Sequence, residues 1–251
     1  AINNIGLLTV RRLLIETELN PDELKYFIYK ITLYEVNIDG LVNSFKVEYK
    51  SVCGTINGLL SGKFGNEFQV TNLEKSARKA GYFFKPNETK QTIAEFFRLH
   101  IQNAKADFMN QKDLELSDIF KKCESAHILS PNKGGKIIAL IISPANSLIT
   151  IKKFRSIAEN RMTKILIALK CYKLAHGDLP ESLDQLIPDY FLEIPEDPYD
   201  GKSLRYSKEK KVVYSVYQNL VDDGGYIQEP PEPKGSQPIV ITDPLDLAVK
   251  I

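Results

Sequence analysis

The stretch that decides the fold is residues 166–225, LIALKCYKLAHGDLPESLDQLIPDYFLEIPEDPYDGKSLRYSKEKKVVYSVYQNLVDDGG. Apolar residues recur every three or four positions up to His176, and Gly177 then acts as a helix stop. Residues 197–201, DPYDG, form a turn signal, because proline fixes φ and Asp-Gly tolerates a positive φ. Apolar residues then alternate on both sides of residues 207–210. The stretch therefore predicts a helix, a turn, a β-hairpin and an acidic loop in that order.

The helix that enters this stretch is the longest one the sequence predicts. Apolar residues keep steps of three or four from Leu148 to Tyr172. Residues 130–135 end in two glycines and indicate a loop, and the apolar run after them ends at Pro144. We therefore expect the helix to begin after Pro144.

The first part of the chain is helical in pattern and has no convincing strand. Asn20 followed by Pro21 has the form of a helix start. Apolar residues then follow a helical period in three segments, residues 21–36, 41–59 and 87–108. The predicted fold class is α+β, predominantly α. We divide the chain into a helical region, residues 1–143, and a part with the long helix and the β module, residues 144–251.

The composition is that of an ordinary globular protein. The 251 residues are 43% hydrophobic, with 33 basic and 32 acidic side chains. A net charge of +1 and short basic clusters give no electrostatic case for nucleic acid as a partner. No apolar run is long enough to span a membrane. Because the chain begins with Ala1, we expect that a signal peptide or anchor has been removed, so that any membrane attachment is through a missing N-terminal anchor.

The cysteines and His100 show no pattern typical of a metal site, a redox motif or a catalytic site. Cys53, Cys123 and Cys171 lie in apolar helical patterns without a CxxC motif, which predicts buried free thiols. A Cys53–Cys123 disulfide is the alternative in an oxidising compartment. His100 lies beside an apolar helical stripe and is predicted to be a partly buried structural histidine.

Two common catalytic motifs are also missing from the sequence. There is no GxSxG or HExxH spacing. The pairs Asp197/Asp200 and Asp222/Asp223 could serve as acid and base, but their proline and glycine neighbours explain them as turn formers. We expect no catalytic activity, with a hydrolase as the less favoured alternative.

The end of the chain carries two further signals. The closely spaced prolines of residues 230–233 predict a stiff connector. The apolar residues 239–241 are predicted to return as an extra strand at the edge of the hairpin.

Residues 158–225 resemble the globular part of the major pseudopilin of type II secretion systems. The segments that carry this resemblance are ALKCYKLAHGDLPESLDQLIP, YFLEIPEDPYDGKSLRYS and VVYSVYQNLVDDGG. The same ending, together with FKPNETKQ at residues 84–91, is also similar to a family of uncharacterised bacterial envelope proteins. These resemblances imply a small pseudopilin-like sheet, a periplasmic or envelope-anchored location and protein partners in the envelope. Some 150 residues precede the long helix, so we interpret the module as borrowed rather than as part of a pilin.

The pseudopilin resemblance also implies calcium as a cofactor. The pseudopilin loop that matches residues 219–225 binds calcium through carboxylates and main-chain carbonyls. In this chain Asp222 and Asp223 would supply the carboxylates, with carbonyls near Asn219 and Leu220, and Ca²⁺ takes six to eight oxygens. The alternative is an acidic turn that ends in two glycines.

Two functions follow from these observations. We expect a non-catalytic structural or assembly protein outside the cytoplasm. The alternative is a module that binds a peptide or glycan in a groove lined by Tyr190, Phe191, Tyr199, Tyr206, Tyr214 and Tyr217. An exposed aromatic patch would favour binding, whereas burial of these rings against the long helix would favour a scaffold.

Overall fold

The computed structural model describes residues 7, 9–14, 19–33, 35–60, 84–111, 131–225 and 247–251. These residues form a predominantly helical α+β fold, as predicted. Residues 9–14 are helical, and the longer helices are α1 (Pro21–Leu33), α2 (Ile38–Leu60), α3 (Pro86–Lys105) and α4 (Lys133–His176). No helix within these residues is long and apolar enough to cross a membrane.

The chain divides into two compact units. The first contains residues 1–36, 107–109 and 153–251, and the second contains residues 37–106 and 110–152. Helix α4 begins in the second unit and ends in the first. The division predicted between residues 143 and 144 lies inside this helix.

Helix α1 begins at a reciprocal capping box. The backbone N–H of Glu23 donates to Asn20 Oδ1 at 2.9 Å, and the N–H of Asn20 donates to Glu23 Oε2 at 2.9 Å. Leu24 and Ile31 are buried in the core of the first unit. The predicted start is therefore confirmed, although the helix ends at Leu33 rather than at residue 36.

Helices α2 and α3 build the core of the second unit. Phe45 of α2 packs edge-on against Phe97 of α3, with ring centroids 6.4 Å apart. The other buried apolar residues of this core are Val42, Ile56, Ile93, Phe96 and Ala104. Helix α3 ends at Lys105, and Phe108 belongs instead to a short 3-10 helix, Phe108–Asn110.

The predicted start of α4 is wrong, because the helix begins at Lys133 and continues through Pro144. The backbone N–H of Lys136 already donates to the carbonyl of Asn132 at 3.0 Å. Gly135 lies inside the helix, and a Cβ there would lie 1.9 Å from Thr89 Oγ1. This glycine therefore permits close packing between α3 and α4, whereas the sequence pattern presents it as a loop residue.

The sheet is antiparallel and has the strand order β1-β2-β3. Strands β1 (Arg205–Ser207) and β2 (Val212–Ser215) form the predicted hairpin, and β3 (Leu247–Lys250) pairs with the other edge of β2. All four residues of the central strand β2 are buried, so the expected alternation of buried and exposed residues is absent there. The predicted connector at residues 230–233 and the predicted strand at residues 239–241 lie outside the described residues.

The C-terminal half of α4 packs against the β module in the core of the first unit. Gly177 follows the helix with φ of 86°, which confirms the predicted stop. The buried residues of this core include Phe154, Ala158, Met162, Ile165 and Leu169 of α4, with Leu186, Tyr199, Leu204, Val213 and Val216 of the module. Cys171 is a buried free thiol and Cys53 is free and half-buried, whereas Cys123 lies outside the described residues.

The close contact at Gly135 gives a stability prediction. A methyl group at position 135 would meet Thr89 Oγ1 at 1.9 Å and Asn132 Oδ1 at 2.4 Å. We expect Gly135→Ala to lower the free energy of unfolding by about 1–3 kcal/mol, despite the better helix propensity of alanine. Urea denaturation measures this loss.

Gly54→Ala is the matched control for this prediction. Gly54 lies in α2 with no atom within 4 Å of the position that a Cβ would take. The substitution should raise the free energy of unfolding by about 0.5–1 kcal/mol. Equal stabilisation by both substitutions would contradict the packing role of Gly135.

Candidate functional site

Asp197 is the buried centre of the C-terminal module, with 0% of its surface exposed. Its Oδ1 accepts hydrogen bonds from the Tyr199 N–H at 3.0 Å and from Ser215 Oγ at 2.8 Å. Its Oδ2 accepts from the Val216 N–H and from Arg205 Nη1, both at 2.9 Å. One carboxylate therefore joins the turn, the first strand and the end of the second strand.

The turn that carries Asp197 has the geometry that the DPYDG pattern predicts. The N–H of Gly201 donates to the Asp197 carbonyl at 2.9 Å, and the N–H of Asp197 donates to the Lys202 carbonyl at 2.6 Å. Gly201 adopts φ of 72°, which favours glycine. The Asp-Pro-Tyr-Asp-Gly order is thus explained by backbone conformation and by one buried carboxylate.

Arg205 links three acidic side chains of the module. Its guanidinium pairs with Asp197 and Asp200, and its Nε lies 3.6 Å from Asp222 Oδ2. Burial lowers the pKa of Arg205, but the hydrogen bond and charge of Asp200 outweigh this and leave the pKa raised. Burial likewise acts to raise the pKa of Asp200, whereas the hydrogen bond from Arg205 leaves it below its ordinary value. Sequence reasoning missed Arg205, because a single arginine in a short strand carries no distinctive signal.

The hydrogen-bonding capacity of Asp197 is fully used within the protein. Each carboxylate oxygen has about two acceptor positions, and each of these oxygens accepts two hydrogen bonds. Burial raises the pKa of Asp197, and the hydrogen bonds from Tyr199, Ser215 and Val216 act against this shift. The arrangement suits a structural link and leaves no lone pair for a substrate or metal ion.

The predicted metal ligands lie in one loop after the 3-10 helix Tyr217–Asn219. Asp222 Oδ1 accepts a hydrogen bond from the Gly224 N–H at 3.0 Å, and Asp223 Oδ2 accepts from Asn219 Nδ2 at 3.0 Å. Leu220 adopts a left-handed conformation with φ of 60°. Asp222 and Asp223 therefore stabilise the loop conformation directly.

The acidic loop has the types of oxygen ligand that Ca²⁺ prefers, but some of these oxygens already accept hydrogen bonds within the protein. Carboxylate and carbonyl oxygens are the preferred ligands of this ion. One oxygen of Asp222 and one of Asp223 accept hydrogen bonds within the loop, and Lys210 Nζ lies 2.6 Å from the Gly224 carbonyl oxygen. Among the described residues, no group of three or more His, Cys, Asp or Glu side chains is placed to hold a metal ion.

The six aromatic residues of the module are buried or half-buried. Tyr199, Tyr214 and Tyr217 are buried, and the rings of Tyr199 and Tyr217 lie 5.2 Å apart. Tyr199 also packs edge-on against Phe108, at 4.8 Å between centroids. The remaining three rings, Tyr190, Phe191 and Tyr206, are half-buried against the same core. They form core packing rather than an exposed aromatic patch.

His100 in the second unit is buried more deeply than predicted, with 0% of its surface exposed. Its ring centroid lies 4.2 Å from that of Phe96 and 5.5 Å from that of Phe45. Neither ring nitrogen has a hydrogen-bond partner in the described part of the chain. Burial therefore lowers the pKa of His100 to about 4, so the ring is neutral at pH 7 and acts as a core residue.

Comparison of the chain with protein-family models, with curated proteins and with solved structures finds no match. What the protein does is therefore inferred from its own residues. The features that bear on function are the saturated Asp197 carboxylate, the acidic loop and the packed aromatic rings.

The Asp197 link gives a prediction for the first unit. Asp197→Ala would leave Arg205 without its most buried partner and the Val216 N–H without an acceptor. We expect the free energy of unfolding to fall by about 3–5 kcal/mol, measured by urea denaturation at pH 7. Asp223→Ala removes a loop carboxylate with one hydrogen bond and should cost less than about 1 kcal/mol. Similar losses in the two variants would contradict the role of Asp197.

The buried histidine makes stability depend on pH. Because the pKa of His100 is lower in the folded state than its ordinary value of 6.5, its contribution is fully present above pH 6.5 and is lost as pH falls through about 4. Between pH 7 and pH 4.5 we expect the wild type to lose roughly 2 kcal/mol more free energy of unfolding than His100→Leu. An unchanged pH dependence in His100→Leu would contradict the prediction.

Proposed function

We propose that this chain is a non-catalytic structural or assembly protein of the bacterial cell envelope, located outside the cytoplasm. Residues 166–225 would be a rigid module related to the globular part of secretion pseudopilins. The observation that carries this proposal is the packing of five of the module's six aromatic rings in or against the core that α4 shares. Rings packed in this way support a scaffold more than a groove that takes a peptide or glycan.

The charged residues of the module also support a structural role. Asp197 accepts four hydrogen bonds, and Asp200 is paired with Arg205. Lys208 forms exposed ion pairs with Asp178 and Glu181, at 2.9 Å and 2.7 Å, which join the end of α4 to the hairpin. A catalytic carboxylate needs an oxygen within reach of a substrate, and the buried Asp197 has none.

A partner protein would contact apolar surface that the module leaves exposed. Leu192 has 92% of its surface exposed, which is unusual for a leucine in a well-packed module. Leu174 near the end of α4 and Val221 in the acidic loop are also more than half exposed. We infer that assembly contacts include Leu192.

The envelope proposal is tested with the full-length gene product in its own bacterium, with a tag at its C-terminus. A photo-reactive amino acid replaces Leu192 in one variant and Glu209, an exposed residue of the hairpin turn, in the control. We expect the protein in the envelope fraction and a discrete protein adduct from position 192 only. Recovery in the cytoplasmic fraction, or equal labelling from both positions, would count against the proposal.

We also propose that the acidic loop binds Ca²⁺ through Asp222 and Asp223, with carbonyl oxygens near Asn219 and Leu220. Two adjacent carboxylates and a backbone that turns through left-handed residues support this proposal. A bound ion would compete with Lys210 and Arg205, which already contact the loop. Calcium would then lock a loop that hydrogen bonds and the Arg205–Asp222 ion pair hold in the free protein.

Calcium binding predicts a ligand-dependent rise in Tm. Millimolar Ca²⁺ should raise the Tm by several degrees, because a ligand that binds only the folded state stabilises it. Asp222→Ala should abolish the rise, whereas Asp189→Ala, at an exposed position outside the loop, should keep it. A wild-type Tm that stays constant up to millimolar Ca²⁺ would exclude the site.

A further inference from the structure

The second unit contains an apolar cleft between α2 and α3. Its volume is about 240 Å³. The cleft is lined by Phe45, Lys46 and Tyr49 of α2, and by Ala94, Phe97, Arg98 and Ile101 of α3. An apolar cavity of about 150 Å³ already takes a benzene molecule, so this cleft has room for a substituted ring or a short acyl chain.

Aromatic rings form the inner wall of the cleft. Phe45 and Phe97 are buried, and the rings of Tyr49 and Phe97 meet edge-on with centroids 5.9 Å apart. Phe45 and Phe97 are only 1% and 2% exposed, so the apolar surface that faces the cleft comes mainly from the half-buried Tyr49, Ala94 and Ile101. A ligand that enters here would cover that surface and would bind mainly by the hydrophobic effect.

Two cations stand among the residues that line the cleft. Lys46 of α2 and Arg98 of α3 are exposed, in contrast to the rings. Within the part of the chain that the structure describes, no acidic side chain lies within salt-bridge distance of either one. A ligand whose hydrocarbon group fills the cleft would thus place an attached carboxylate close to these two positive charges. The two cations complement the negative charge of that carboxylate.

We propose that the α2–α3 cleft binds a small hydrophobic carboxylate, with its ring or short chain against Tyr49, Ala94 and Ile101 and its carboxylate at Lys46 and Arg98. The combination of one apolar wall and two cations selects this class over neutral hydrocarbons and over cations. This site is independent of the acidic loop and of the proposed envelope role.

Isothermal titration calorimetry of the whole chain tests the proposal with octanoate and its neutral isostere octanamide. We expect saturable octanoate binding and octanamide binding that is about tenfold weaker. Lys46→Gln and Arg98→Gln should each weaken octanoate about two- to fivefold and leave octanamide unchanged, since an exposed ion pair contributes modestly. Lys50→Gln, on α2 outside the cleft, should change neither affinity.

A substitution that fills the cleft with a larger side chain is the second part of the test. Ala94→Leu keeps a good helix former and places a larger side chain in the cleft, so it should weaken both ligands at least about tenfold while circular dichroism stays unchanged. Absence of saturable octanoate binding by the wild type would overturn the proposal. Octanamide binding as tight as octanoate, or octanoate affinity unaffected by Ala94→Leu, would overturn it equally.

Discussion

The buried carboxylate of Asp197 is the constraint on which the C-terminal module depends. A charge removed from water is costly unless hydrogen bonds and an opposite charge replace its hydration. Asp197 meets this need through Tyr199, Ser215, Val216 and Arg205, which come from the turn and from both strands of the hairpin. Each of these segments is short, and hydrogen bonds to the same carboxylate tie them together. We therefore expect the turn and the two strands to unfold together.

The proposed structural role rests on how this module uses its polar and aromatic groups. The Asp197 carboxylate accepts four hydrogen bonds, and buried tyrosines fill the core, which makes the module rigid. Rigid attachment to the end of α4 suits a protein that presents a fixed surface to partners. The second unit has a different character, because its core encloses a neutral histidine and leaves an apolar cleft beside two cations.

Local signals predicted those parts of the fold that local chemistry determines. The helix stop at Gly177, the DPYDG turn and the hairpin follow from φ preferences and apolar alternation, and all three are present. The start of α4 was predicted wrongly, because Gly135 serves a tertiary contact with Thr89 that no local pattern contains. The acidic loop that contains Asp222 and Asp223 follows the hairpin, whereas Asp197 pairs with Arg205, Ser215 and Val216 across 8, 18 and 19 residues, through the turn and the hairpin together. Pairing of that kind depends on the folded chain.

Amide hydrogen exchange at Val216 tests the central claim most directly, because this N–H donates to the buried Asp197 carboxylate. The measurement compares Val216 with amides in the buried part of α4, such as Leu169, and with Gly224 in the acidic loop. If Asp197 unites the module, Val216 exchanges only through global unfolding and matches Leu169. Exchange of Val216 as fast as that of Gly224 would contradict the account.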